Sequence, residues 1–206
     1  MGYKKLSTQL HRLINEMEKQ SYNMIGTFYD SGSVYIWSEF YVMKMPGNMY
    51  ADNISTDKKP YLEDIAELER LSAQGRGVTL QISDGGRVNQ SENGKSVVKL
   101  FNRYIDVNID KLHDSGIDYD TLTPVIYGSD PVKYHYYANS DYTVAVNPDI
   151  YRAVMGVYEA LYITPETRGS KPVNPIMYRG DIDIMVLPCR TGGNALENWL
   201  PTQYAR

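Results

Sequence analysis

The order of its secondary-structure signals constrains this chain more than any single motif does. Residues 4–19, KKLSTQLHRLINEMEK, place Leu6, Leu10, Leu13, Ile14 and Met17 on one face of a helix. Three β-like runs follow, Met24–Tyr29, Val34–Trp37 and Phe40–Met45. Asp30-Ser31-Gly32-Ser33 supplies a turn between the first two, and Pro46-Gly47 ends the third. Pro60 then suits the first turn of a second helix, running to about Gln74. That helix carries Leu62, Ile65, Leu68 and Leu71 on one face, with Gly75 and Gly77 at its end. Strands are expected again at Val78–Ile82, Gly86–Gln90 and Ser96–Phe101, separated by Asp84-Gly85-Gly86 and Glu92-Asn93-Gly94.

The second half repeats this order. Tyr104–Asn108 reads as a strand, Ile109–Ser115 as a short helix, and Thr123–Tyr127, Val132–Tyr137 and Tyr142–Val146 as strands. Asn147-Pro148 opens a helix, as N-cap and first-turn proline, that is expected to reach about Leu161. Tyr162–Pro165, Pro175–Tyr178 and Ile182–Leu187 complete the set. A helix followed by three strands thus recurs four times, in element order and not in residue identity. The pattern predicts an α+β protein with two tandem domains, 1–103 and 104–190, followed by a tail, 191–206. Each domain should carry antiparallel sheet on one side and two helices on the other.

Composition narrows the function classes. No apolar run approaches the ~18 residues of a membrane span, and MGYKKLSTQLHRL lacks the apolar stretch of a secretory signal. A cytoplasmic protein is the expectation. Cys189 is the single cysteine, which excludes an intrachain disulfide and a cysteine-based zinc site. The net charge of −4 argues against a chain that is basic all over. Residues 1–103 carry 13 basic and 12 acidic side chains, a balance of +1, and residues 104–206 carry 8 and 13, a balance of −5. The 19 tyrosines point to many half-buried strand positions, where the ring packs and the hydroxyl stays wet.

The residues that carry chemistry are sparse. Neither Gly75-Arg76-Gly77 nor Asp84-Gly85-Gly86 has the spacing or the lysine of a phosphate loop. His11, His113 and His135 lie far apart, and His135, within VKYHYY, reads as a strand surface residue. Asp181 and Asp183 would face the same side of a strand and could hold a divalent cation. At an antiparallel edge the same pair serves instead to keep the strand soluble. Cys189 has no neighbouring base to activate it. No constellation supports an enzyme, no cofactor is called for, and no metal is expected.

Two stretches carry a family resemblance. Tyr142–Val146 runs into Asn147-Pro148-Asp149-Ile150-Tyr151 and a helix, and the last strand ends Val186-Leu187-Pro188-Cys189-Arg190. This resembles the end of the bacterial DNA sliding clamp, the β subunit of the replicase, whose chain stops at a motif close to Val-Met-Pro-Met-Arg-Leu. Clamp domains are built from two β-α-β-β-β units, which matches the element order. In the first half, VYIWSEFYVMKMPGNMY resembles small replication-region proteins of phages.

The resemblance implies a non-catalytic DNA sliding-clamp-like processivity or replication accessory protein. Helices would line a hole around duplex DNA, and a two-domain subunit would form a trimer to close a ring. Contact with DNA would be sequence-independent, through Lys5, Arg12 and Lys19 on the first helix and Arg152 on the last. Lys5, Arg12 and Lys19 are seven apart, a stripe that an ordinary solvated face also explains. The second helix is acidic, with Glu63, Asp64, Glu67 and Glu69 against Arg70.

The resemblance also implies an apolar pocket for short peptides of a DNA polymerase or other replication proteins, made by Met185, Leu187, Pro188 and Cys189, residues whose plainer role is to close the core of the last sheet. The tail could supply a ligand for it through Leu196, Trp199 and Leu200. A clamp-like fold used only to bind proteins, without encircling DNA, is the alternative.

Overall fold

The structure, a computed structural model, describes residues 3–56, 59–105, 110–120, 133–141, 143–155, 157–163, 167–168, 171–172, 175–189 and 203. Helix α1 (Tyr3–Gln20) leads into the meander β1 (Met24–Asp30), β2 (Ser33–Ser38) and β3 (Tyr41–Pro46). Ser31 and Gly32 both take positive φ, as a tight two-residue hairpin turn requires. Helices α2 (Gly47–Asn53) and α3 (Ile65–Ala73), the hairpin β4 (Gly77–Gln81) and β5 (Arg87–Ser91), and α4 (Gly94–Ile105) complete the first half. The second half contains β6 (Asp110–Lys111), β7 (His113–Asp120), β8 (Lys133–Ala138), β9 (Thr143–Val146) and α5 (Pro148–Val154). It ends with β10 (Ala160–Ile163), β11 (Thr167–Arg168), β12 (Lys171–Pro172), β13 (Ile176–Arg179) and β14 (Asp183–Val186).

Nine strands form one antiparallel sheet in the order β5-β4-β1-β2-β3-β14-β13-β10-β6. Its seam is the β3·β14 pairing, with Met43 opposite Ile184 and Val42 opposite Met185. Strands from before and after residue 103 therefore share this sheet. Two helix-plus-three-strand units are recognisable in it, α1-β1-β2-β3 and α5-β10-β13-β14, with the short hairpin β11–β12 inserted in the second. The units meet through their last strands, and α1 packs against α5. A separate sheet, β7-β8-β9, is held to the last strand's exit by a bridge between Ala145 and Cys189.

Both faces of the large sheet are buried, which explains why VYIW is apolar without alternation. One face carries Ile25, Val34, Ile36, Met43, Val78, Ile176, Ile184 and Val186. Leu10, Leu13, Ile14 and Met17 of α1, Leu68 and Leu71 of α3, and Ile150 and Val154 of α5 cover it. On the other face Phe28, Tyr35, Trp37, Val42, Met177 and Met185 pack under Val98 and Phe101 of α4.

Several expectations are corrected. The strand expected at Ser96–Phe101 is the middle of α4, and Asn93-Gly94, read as a hairpin turn, begins that helix, where Val97 N–H donates to the Asn93 carbonyl. Val97, Val98, Phe101, Tyr104 and Ile105 fit a helical stripe as well as they fit a strand, and only a sheet face in need of cover decides between them. Tyr104 and Ile105 close α4 instead of opening a strand. The second helix starts at Ile65, not Pro60, because Tyr61 and Leu62 are needed in the core and Asp64 caps Glu67 N–H at 2.9 Å. The helix expected at Ile109–Ser115 is replaced, over the described residues 110–115, by β6 and the start of β7. The helix after Asn147 stops at Val154, and the chain turns back so that Ala160 can pair with Arg179 in the sheet. The strand expected at Thr123–Tyr127 lies outside the described residues.

Candidate functional site

The cross-strand register lines up Trp37 of β2, Val42 of β3 and Met185 of β14 as direct neighbours across the seam. Helix α4 lies beside this row and turns Val97, Leu100 and Tyr104 toward it, at the i, i+3, i+7 spacing of one helical stripe. Phe40, Pro175 and Leu187 complete a groove of about 220 Å³. Its apolar lining is open to solvent at Leu100, 45% exposed, and Leu187, 43% exposed. Large aliphatic side chains this exposed, on the rim of a concavity, are what a docking surface presents.

The groove holds one polar wall residue of note. The Glu39 carboxylate accepts from the backbone N–H groups of Asn23 and of Met24, the latter at 3.0 Å, through Oε1. Its Oε2 is buried beside the groove without a hydrogen-bond partner. On the outer side of α4, Lys95, Lys99 and Arg103 are exposed, and the helix carries no acidic residue.

Of the four residues expected to form a peptide pocket, two lie in this groove: Met185 on its floor and Leu187 at its rim. Pro188 is half-buried, and Cys189 turns away to the smaller sheet, donating its N–H to the Ala145 carbonyl at 2.8 Å and packing near Tyr134, Tyr136 and Ala138. The tail residues Leu196, Trp199 and Leu200 lie outside the described residues.

The residues expected to contact DNA sit in the helix layer on the opposite face of the sheet. Arg12 and Lys19 are exposed on α1, and Lys19 forms a surface pair with Glu16 at 3.2 Å. Arg152 of α5 pairs with Asp149 of the same helix. Lys5 lies on α1, its side chain outside the described residues.

Two further readings are corrected. Asp183 is not on an edge: β14 is an interior strand between β3 and β13, and Asp183 accepts from Arg179 Nε at 2.9 Å while lying opposite Lys44. His135 is not a surface residue. It is 1% exposed, stacked on Tyr151 with ring centroids 3.4 Å apart, and its Nε2 lies 2.7 Å from Asp114 Oδ1. Tyr151 donates to Asp114 Oδ2 at 2.9 Å, and Tyr178 to the Tyr137 hydroxyl at 3.3 Å. This polar cluster ties β7, β8 and α5 together. His135 and Tyr137 share one face of β8 and Tyr134 and Tyr136 the other, and with aromatic rings on both faces the sequence carries no period-2 signal that would have placed them.

Comparison with known proteins finds no matching family model, no similar curated protein and no similar solved structure. Among the described residues no group of three or more His, Cys, Asp or Glu side chains could hold a metal ion, and no helix is long and apolar enough to cross a membrane.

Burial pushes the Cys189 thiol up to about 11. At pH 8 its alkylation by iodoacetamide should be on the order of a hundredfold slower than that of a free cysteine thiol. The rate should keep rising with pH to about 11, where an exposed thiol would level off earlier. The raised value means the fold favours the protonated thiol. Its contribution to stability is present below the ordinary thiol range and lost as pH climbs through about 11.

Proposed function

We propose that this protein is a non-catalytic accessory factor of clamp-like build that works by holding a segment of a partner protein in the groove between α4 and the β3·β14 seam. The groove itself carries the reading: an apolar channel with Leu100 and Leu187 exposed on its rim, Trp37 in its wall and Met185 on its floor. Two units of helix plus three strands, joined through their last strands with their helices side by side, support the clamp-like build.

The test uses the protein's own reporter. The chain has two tryptophans, so Trp199→Phe leaves Trp37 alone to report on the groove. Titration of that variant with short peptides bearing apolar anchors should shift Trp37 emission saturably, and Leu100→Glu should remove the shift. A Trp37 signal indifferent to every such peptide would sink the reading.

A processivity clamp that encircles duplex DNA is the second reading, favoured by the exposed Arg12 on a helix layer formed by α1 and α5. It ranks second because Lys19 and Arg152 are each paired with a carboxylate of their own helix. Light scattering decides it: a stable species near three times 23.5 kDa, retained on circular but not linear DNA, is required.

A further inference from the structure

Charge on α4 is segregated. Lys95, Lys99 and Arg103 follow one another at i, i+4 and i+8, each exposed, on a helix without a carboxylate. Lys99 and Arg103 immediately precede Leu100 and Tyr104 in the chain, so they edge the groove-lining stripe on its solvent side. Elsewhere Lys19, Lys59, Arg70, Arg87, Arg152 and Arg179 each have a carboxylate partner. Among the described residues no ion pair involves Lys95, Lys99 or Arg103. In a chain of net charge −4, three uncompensated cations beside an open apolar groove form a complementary surface for an anion.

The opposite wall sets the second requirement. Glu39 also lines the groove, so this wall carries a carboxylate while the α4 side carries the cations. A ligand lying in the groove has to keep its negative charge on the α4 side. A peptide can do so, with its acidic side chains apart from its apolar ones. A nucleic acid would bring phosphates toward the same carboxylate and has little to place against the aliphatic Val97, Met185 and Leu187.

Building on the docking function proposed above, we infer that the occupant is an acidic peptide segment of a partner protein. Its apolar anchor side chain enters the groove, and one or two Asp or Glu residues lie against Lys99 and Arg103, away from Glu39. The cations set specificity and encounter rate, and the apolar floor supplies most of the affinity.

The experiment selects short random peptides displayed on phage against the full chain and measures the recovered sequences by fluorescence anisotropy. Recovered peptides should carry Asp or Glu beside an aliphatic or aromatic anchor. Lys99→Glu with Arg103→Glu should weaken them roughly tenfold and flatten their salt dependence. Leu100→Glu, at a half-exposed position that folding tolerates, should abolish binding.

Peptides without acidic bias, indifferent to the charge reversal but lost with Leu100→Glu, would overturn the acidic ligand and leave the docking function standing. Peptides that survive Leu100→Glu, or no recovered peptide at all, would overturn both. Displacement of the peptides by a single-stranded oligonucleotide whose own binding depends on Lys99 and Arg103 would make nucleic acid the occupant, and the inference would fall.

Discussion

Gly94→Leu should lift α4 off the sheet and abolish the groove with it. A Cβ at Gly94 would sit 2.2 Å from Phe28 Cδ2 and 2.7 Å from Phe28 Cβ, deep inside contact distance. Phe28 cannot yield, because it is 1% exposed in the same apolar cluster as Phe101 and Trp37. Overpacking of this kind costs about 3 kcal/mol or more, a large share of the ~10 kcal/mol that separates a folded domain from its unfolded chain. Denaturant unfolding should show that loss, and Trp37 emission should move to the red in the native baseline as α4 withdraws. Ser96→Ala, exposed on the same helix, should change stability by less than about 0.5 kcal/mol. Unchanged stability in Gly94→Leu would mean that α4 does not rest on β1 as described.

Ile184→Ala should destabilise the whole molecule as one unit. Ile184 is fully buried on β14, directly opposite Met43 of β3, at the point where the two halves of the chain join one sheet. Truncation removes its apolar area and leaves a cavity that neighbours on both sides cannot close, at about 2–4 kcal/mol. Because the large apolar cluster draws side chains from α1 and β1–β3 as well as from α5, β10, β13 and β14, unfolding should stay a single transition shifted to lower denaturant. Resolution into two transitions, only one of them shifted, would instead indicate two independently stable domains divided near residue 103.

Much of the fold was legible where local signals agreed. The apolar stripe of α1, the Ser31-Gly32 turn and the Asn147-Pro148 cap each need only neighbouring residues to act, and each element stands where its signal put it. Reading failed where two periods fit the same residues. Val97, Val98 and Phe101 satisfy helix and strand alike, so the helix that roofs the groove was missed, and with it the basic stripe Lys95, Lys99, Arg103. Tyr61 and Leu62 looked like helix positions because burial, not spacing, is what holds them. His135 was read as exposed because Asp114, its partner, is 21 positions away on another strand.

Local signals were enough for the α+β class, the antiparallel meander β1–β2–β3, the last two strands to within a residue at each end, and the uneven charge of the two halves. These follow from periodicity, turn chemistry and composition, which act over a few residues at a time. Tertiary structure alone decided that β3 and β14 pair, that α4 covers the second face of the sheet, and that Trp37, Met185 and Leu100 line one groove. Those choices rest on contacts between residues far apart in the chain, where the free energy comes from burying two surfaces against each other and neither surface names its partner in advance.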